Sequence, residues 1–154
     1  MDRPKIQQSG IVDVDFGINV TVVQPVNLYG CRIGDNTFIG PFVEIQRGAM
    51  VGRNCRIQSH SFICNLVEIG DDCFISHGAM FINDLFSRGG PAGGDRTLYK
   101  ATVIGRNVSI GTNATILPVT IADGVVVGAG TVVTQDLSER GVYAGNPARL
   151  LRTL

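Results

Sequence analysis

The sequence has no excess of charge of either sign. Lysine and arginine total 13, aspartate and glutamate 13, and the formal net charge is zero. No broad basic surface is available to nucleic acid or anionic lipid. Long apolar runs are also missing, and none approaches the ~20 residues that a membrane span requires. The opening stretch MDRPKIQQSG lacks the apolar core of a signal peptide, so a cytoplasmic protein is expected. Histidine is scarce, with only His60 and His77. A zinc site of three histidines cannot be built from two, and no metal is expected. The four cysteines form no Cys-x-x-Cys pair, which argues against a metal knuckle. They read instead as small buried hydrophobes without disulfides.

What is abundant is periodicity. Ile33, Ile39, Ile45, Val51, Ile57, Ile63, Ile69, Ile75 and Phe81 recur every six residues without a miss. Neither a helical period of 3.6 nor strand alternation produces a fixed step of six. Four residues after each come Thr37, Val43, Ala49, Cys55, Ser61, Val67, Cys73 and Ala79, all small. A short fixed repeat of this kind marks a stacked solenoid. Six residues make one short strand and a turn, and three such units make an 18-residue coil of triangular section. Each coil hydrogen-bonds to the next about 4.8 Å along the axis. The aliphatic residues fill a narrow interior and the small ones its corners. Gly34, Gly40, Gly52 and Gly70 are expected where the chain bends.

Reading in order, residues 1–10 form a polar lead-in, and the apolar positions Val20 and Val26 belong to an imperfect first coil. At Asp84 the rhythm stops and resumes at Ile104, which implies about 17 inserted residues. The external loop is therefore placed at about 85–101, LFSRGGPAGGDRTLYKA. A loop this long in a compact repeat is usually functional or disordered, and its place beside the richest polar cluster favours function. The repeat then continues through Ile110 and Ile116, slips by one residue at Leu117-Pro118, and gives Ile121, Val127 and Val133. Five to six coils are expected in one domain spanning 1–154. Asn146-Pro147 reads as an N-cap and first-turn pair, predicting a short C-terminal helix over Ala148 to Leu151. Outward apolar positions, Phe38, Phe42, Phe62 and Phe74, point to an interface, and a homotrimer of parallel prisms is expected.

The candidate chemistry clusters just before the loop. His60 and His77 are the available bases at neutral pH, Ser59 lies one coil beneath His77, and Asn65 lies beneath Asn83. Each of these is also readable as an ordinary outward or interface residue. Glu44, Gln46 and Gln58 flank inward positions and so point outward, toward solvent or a substrate. Arg88, Arg96 and Lys100 in the loop suit an anionic group or a solvated surface.

Several stretches carry a family resemblance: NLYGCRIGDNTFIGPFVEIQ, IQSHSFICNLVEIGDDCFISHGAMFIND, GGPAGGD, VSIGTNATILPVTI and VYAGNPARLLR. Over about residues 26–152 the chain resembles the hexapeptide-repeat acetyltransferases. The nearest pattern is that of nucleotide-sugar enzymes of the UDP-2-acetamido-3-amino-2,3-dideoxy-glucuronate N-acetyltransferase type, with the similar dTDP-3-aminosugar enzymes sharing much of it. The resemblance implies a left-handed parallel β-helix and acetyl-CoA as cosubstrate. It also implies a homotrimer with active sites between subunits, serving surface polysaccharide assembly. Acetyl-CoA is implied beside Gly111, Gly128 and Ala129, with Pro147 and Arg149 of AGNPAR near its nucleotide end. Many members carry lysine where this chain has Gln135, which removes one expected phosphate contact. The sugar nucleotide is implied near the N-terminal coils and the glycine-rich loop, including Arg88, Gly89 and Gly90. Asn83 of the FIND motif is implied beside the sugar amine, with Asp84 orienting the amine and His77 or His60 as the competing general base. A different small hydroxyl or amine acceptor and a non-catalytic scaffold are the alternative readings.

Overall fold

The computed structural model describes residues 4–154. Residues 4–10 form no strand, in keeping with a lead-in, and the first three residues of that predicted segment lie outside the described ones. From Ile11 onward the chain winds as a left-handed parallel β-helix of about seven turns. Its strands stack into three sheets, which form the three faces of a prism. The first face carries seven strands, from Ile11–Val12 through Phe62–Ile63 and Met80–Phe81 to Val132–Val133. The second carries six, including Arg32–Ile33, Val67–Ile69 and Thr102–Ile104. The third carries eight, including Phe38–Ile39, Arg56–Ile57, Phe74–Ile75 and Val126–Val127.

The six-residue period produces this shape because each aliphatic residue ends a strand that is two or three residues long and points into the core. Ile39, Ile57 and Ile75 stack in register, eighteen residues apart. Ile45, Ile63 and Phe81 are likewise wholly buried. Burial of each such side chain contributes roughly 1.5–3 kcal/mol. The small corner residues are buried as predicted, and several have a polar duty. The Thr37 hydroxyl donates to the Gly52 carbonyl at 2.8 Å, and Ser61 donates to Ser76 at 2.9 Å. The Cys55 and Cys73 thiols donate to the Gly70 and Gly105 carbonyls at 3.2 and 3.1 Å. These bonds satisfy turn carbonyls that the strand ladders leave over. All four cysteines are free and buried.

Four expectations need correction. Gly34, Gly40, Gly52 and Gly70 do not make the bends, for none has a left-handed backbone. They are glycine because a Cβ would strike the next coil: at Gly34 it would lie 2.6 Å from the Gly52 carbonyl carbon. Between the second and third faces the bend is made by Asn19, Asn36, Asn54, Asp72 and Asn107, with φ between 55° and 60°. Short polar side chains tolerate that region. Their amides also bond up the stack, Asn36 to Asn54 at 3.3 Å and Asn54 to Asp72 at 3.0 Å.

The coil count is the second correction: five to six were expected, and the extra turn begins at Ile11. Its residues Ile11, Val12 and Phe16 are exposed, so it left no clear aliphatic repeat. Third, Val22 and Leu28, not Val20 and Val26, fill the inward slots beneath Ile39 and Ile45, and Val20 and Val26 sit at the corners beneath Thr37 and Val43. The coils at both ends are one residue shorter, as Phe16↔Ile33 and Ile110↔Val127 show.

Fourth, the C-terminal helix is absent. Arg149–Thr153 is a strand, antiparallel to Gly141–Ala144 on the third face. The open edge of Gly141–Ala144, which itself stacks on Val126–Val127, supplies backbone partners that a single turn of helix would leave unmet. The only helical piece among the described residues is a 3-10 turn, Arg96–Leu98, inside the insert. The insert itself stands where expected. Val67 pairs directly with Thr102, thirty-five residues on, so one coil carries seventeen extra residues.

Candidate functional site

Two ridges of the prism carry the candidate residues, one on each side of the first face. The ridge between the first and second faces is where the insert departs. There Arg47, Asn65 and Asn83 stand in successive coils. The Asn83 side-chain amide donates to both the side chain and the backbone carbonyl of Asn65. The Asn83 carbonyl accepts from the Lys100 N–H at 2.9 Å, which ties the end of the insert to its beginning. Between the ridge and the insert lies a cavity of about 340 Å³. Its walls are Tyr29, Gln46, Arg47, Asn65 and Asn83 from the coils, with Gly94, Arg96 and Tyr99 from the insert. Two guanidiniums, two phenols and three amides line it, and no carboxylate does.

Around this cavity the predicted residues divide. Gln46 lines it, and its amide donates to Glu44 at 3.1 Å, placing Glu44 just behind on the first face. Burial, and then the Glu44 carboxylate, raise the Tyr29 phenol above its ordinary pKa, so it stays a neutral donor. Asp84 is turned to the insert: its two oxygens accept from the backbone of Phe86 at 2.9 Å and Ala92 at 2.7 Å. Arg88 pairs with Asp95 at 3.3 Å and does not line the cavity. Gly89 and Gly90 face open space. Sequence reasoning missed Tyr29, Arg47 and Tyr99. For two of them a signal existed, since Tyr29 precedes Gln46 and Arg47 precedes Asn65 by one coil. Tyr99 gave none, because nothing in an insert's sequence says which side chain folds back.

The second ridge, between the third and first faces, holds the histidines. The Ser59 hydroxyl and His77 Nδ1 are 2.8 Å apart. The His60 ring stacks on Phe42 with centroids 4.9 Å apart, and both residues have left-handed φ. Gln58 lies beside them, and Ser76 bonds to Thr112 at 2.8 Å. Further along the same ridge come Gly111, Gly128 and Ala129, with the Gly111 N–H donating to the Val127 carbonyl at 2.7 Å and the Gly128 N–H to the Tyr143 carbonyl at 2.8 Å. A Cβ on Gly111 would meet the Ala129 nitrogen at 2.5 Å. The AGNPAR turn closes the ridge, with Val132 donating to Gly145 at 3.0 Å and Ala148 donating to Val132 at 2.9 Å. Pro147 and the exposed Arg149 stand at this end.

Within one chain, then, the histidine ridge and the Asn83 ridge do not meet. A full six-residue side separates His77 from Asn83, up to about 20 Å of extended chain. No three or more histidine, cysteine, aspartate or glutamate side chains converge as a metal site among the described residues.

Residues 30–65 match the model of the bacterial transferase hexapeptide, six repeats, and residues 101–135 match the hexapeptide repeat of succinyl-transferase. Both matches are to hexapeptide-repeat models, one in each half of the chain. Among curated relatives, this hexapeptide-repeat chain is 30% identical over 150 residues to the bifunctional protein GlmU of Clostridium beijerinckii, covering 86% of itself and 30% of that protein. It spans less than a third of the length of the curated relatives it matches. Among solved structures it superposes on AntD, an N-acyltransferase from Bacillus cereus in complex with dTDP and 3-hydroxybutyryl-CoA. The TM-score is 0.80 at 24% identity, over 94% of this chain and 84% of that one. PerB from Caulobacter crescentus, in complex with CoA and GDP-perosamine, follows with a TM-score of 0.60 at 19% identity, over 90% and 58%. At these identities the hexapeptide-repeat chain shares the fold of AntD and PerB.

Proposed function

We propose that the protein is an acetyl-CoA-dependent N-acetyltransferase acting on the amino group of a UDP- or dTDP-linked 3-amino sugar, working in the cytoplasm toward surface polysaccharide. The observation that carries the reading is the cavity beside Asn83. Two guanidiniums suit a diphosphate, two tyrosines suit flat rings, and amides suit sugar hydroxyls, while no carboxylate residue lines the cavity itself. The ridge of Gly111, Gly128 and Ala129 supports a second half-site, because its small residues leave room for a pantetheine arm alongside the coils. Arg149 at its end suits the phosphates of coenzyme A.

Since one chain holds these half-sites on different ridges, the working unit is a homotrimer in which one copy's glycine ridge lies against the next copy's Asn83 ridge. The half-buried and exposed Phe38, Phe42, Phe62 and Phe74 supply apolar contact area. In the reaction the neutral amine attacks the thioester carbon, a C–N bond forms, and the C–S bond breaks. The amine proton leaves with the departing thiolate. Placement of the amine within about 3–3.5 Å of the carbon supplies much of the acceleration, and a backbone N–H stabilises the oxyanion. Asn83 orients the amine, itself steadied by Asn65.

Thiol release from acetyl-CoA, measured with a panel of UDP- and dTDP-linked 3-amino sugars, tests the reading. Release that depends on one of these sugars is expected, from a particle of three chains by light scattering. Absence of sugar-dependent release, or a monomer, overturns it.

A further inference from the structure

The insert departs and returns at the cavity, so its placement decides whether the cavity has a fourth wall. Three contacts set that placement. Asp84 accepts the Phe86 N–H on one oxygen and the Ala92 N–H on the other. Ala92 is the one buried residue of the insert, so the second bond pins the loop at its deepest point. Asp95 then caps the 3-10 turn, accepting from the Thr97 N–H at 3.1 Å and its hydroxyl at 2.6 Å. Finally Lys100 donates to Asn83. Gly94, Arg96 and Tyr99, which close the cavity, lie between the pinned Ala92 and Lys100. Asp84 itself does not line the cavity, although its neighbour Asn83 does.

We infer that Asp84 is a positioning residue, which acts on acceptor binding by holding the insert over the cavity and takes no part in moving the amine proton. This rests on reading the cavity as the nucleotide-sugar site. A carboxylate spread across the backbone N–H groups of Phe86 and Ala92, six residues apart, fixes the start of the loop to its middle. Both oxygens are taken up by these backbone donors, and Asp84 is not among the residues that line the cavity. An amide at this position keeps one acceptor and aims an N–H₂ group at the other backbone donor, so Asp84→Asn is expected to loosen the wall partly, and Asp84→Ala fully.

The test compares wild type, Asp84→Asn and Asp84→Ala with UDP-2-acetamido-3-amino-2,3-dideoxy-glucuronate or a dTDP-linked 3-amino sugar, whichever the wild type acetylates. For Asp84→Ala the acceptor KM is expected to rise about 10-fold or more, with Asp84→Asn between it and wild type. The kcat at saturating acceptor should fall less than about 5-fold, the acetyl-CoA dissociation constant should stay within about twofold, and the pH–kcat profile should keep its shape. A kcat loss of about 100-fold with acceptor KM intact and the acid limb of the profile gone overturns the inference, because that is the mark of a proton acceptor. Unchanged kinetics overturn it too. Should the variants fail to fold, amide exchange on the wild type decides: Phe86 and Ala92 are expected to be protected relative to Gly93 and Gly94, and equally fast exchange at all four overturns the inference. A wild type that acetylates none of these sugars overturns the proposed function, and the exchange result still judges the loop clamp separately.

Discussion

Gly70 and Gly90 are the same residue type in opposite circumstances. A Cβ on Gly70 would lie 2.7 Å from the Gly105 carbonyl oxygen, whereas one on Gly90 would meet nothing within 4 Å. Gly70→Ala is expected to cost about 1–3 kcal/mol, since the neighbouring coil cannot move without breaking its own ladder. Gly90→Ala should stay within about 0.5 kcal/mol. Urea unfolding of the two variants checks this. At the same scale, Asn83→Ala is expected to lower turnover about 100-fold through loss of amine placement, while His77→Ala should change it less than about 10-fold. Steady-state rates against the accepted sugar decide between them. The cysteines answer a smaller question. Burial pushes the Cys31 and Cys64 thiols up to about 11, so they stay protonated and serve as packing and not as nucleophiles. The individual inward residues were legible from sequence because a step of six admits one geometry. The reason for the glycines was not, because a clash with the next coil is a distance between residues eighteen apart.

Among the elements, the insert and the C-terminal strand teach different lessons. The insert announced itself as a gap in phase, and the thirty-five-residue register between Val67 and Thr102 matches that gap. Its interior could not be read, because Asp84, Asp95 and Lys100 act through backbone groups that carry no sequence signature. Replacing residues 85–101 with a two-residue turn is expected to leave the β-helix folded, since Thr102 already continues the ladder of Val67. Acceptor binding should be lost while acetyl-CoA binding persists, as calorimetry with each ligand would show. The C-terminal strand misled for a reason of its own. Asn-Pro favours a helix start locally, but the uncovered edge of the third face offers a ladder to any chain that turns back along it.

For the molecule as a whole, the charged ladder along the ridge between the second and third faces adds a small pH-dependent share of stability in acid. The Arg53 backbone N–H, and then its guanidinium, hold the Asp71 carboxyl below its usual range, and Arg106 does the same for Asp123. The Thr97 hydroxyl and N–H lower Asp95. Each has a lower pKa folded than unfolded. The stability they contribute is therefore present above the ordinary aspartate value of about 4 and is lost as pH falls through the folded values. The urea midpoint is expected to hold between about pH 7 and 5 and to drop below about pH 4, with Asp71→Asn showing a shallower drop.

The sequence alone determined the period, and through it the three faces, the direction of every inward side chain from Ile33 to Phe81, and the point where the insert leaves. These follow from local rules, because a strand-and-turn unit of six residues repeats its own geometry wherever it occurs. Only the tertiary structure decided which side chains share a cavity and that the histidines and Asn83 stand on different ridges. It alone also gave the last residues a strand partner. Those outcomes depend on which coils are neighbours and how closely they stack, and spacing along the chain does not encode those distances.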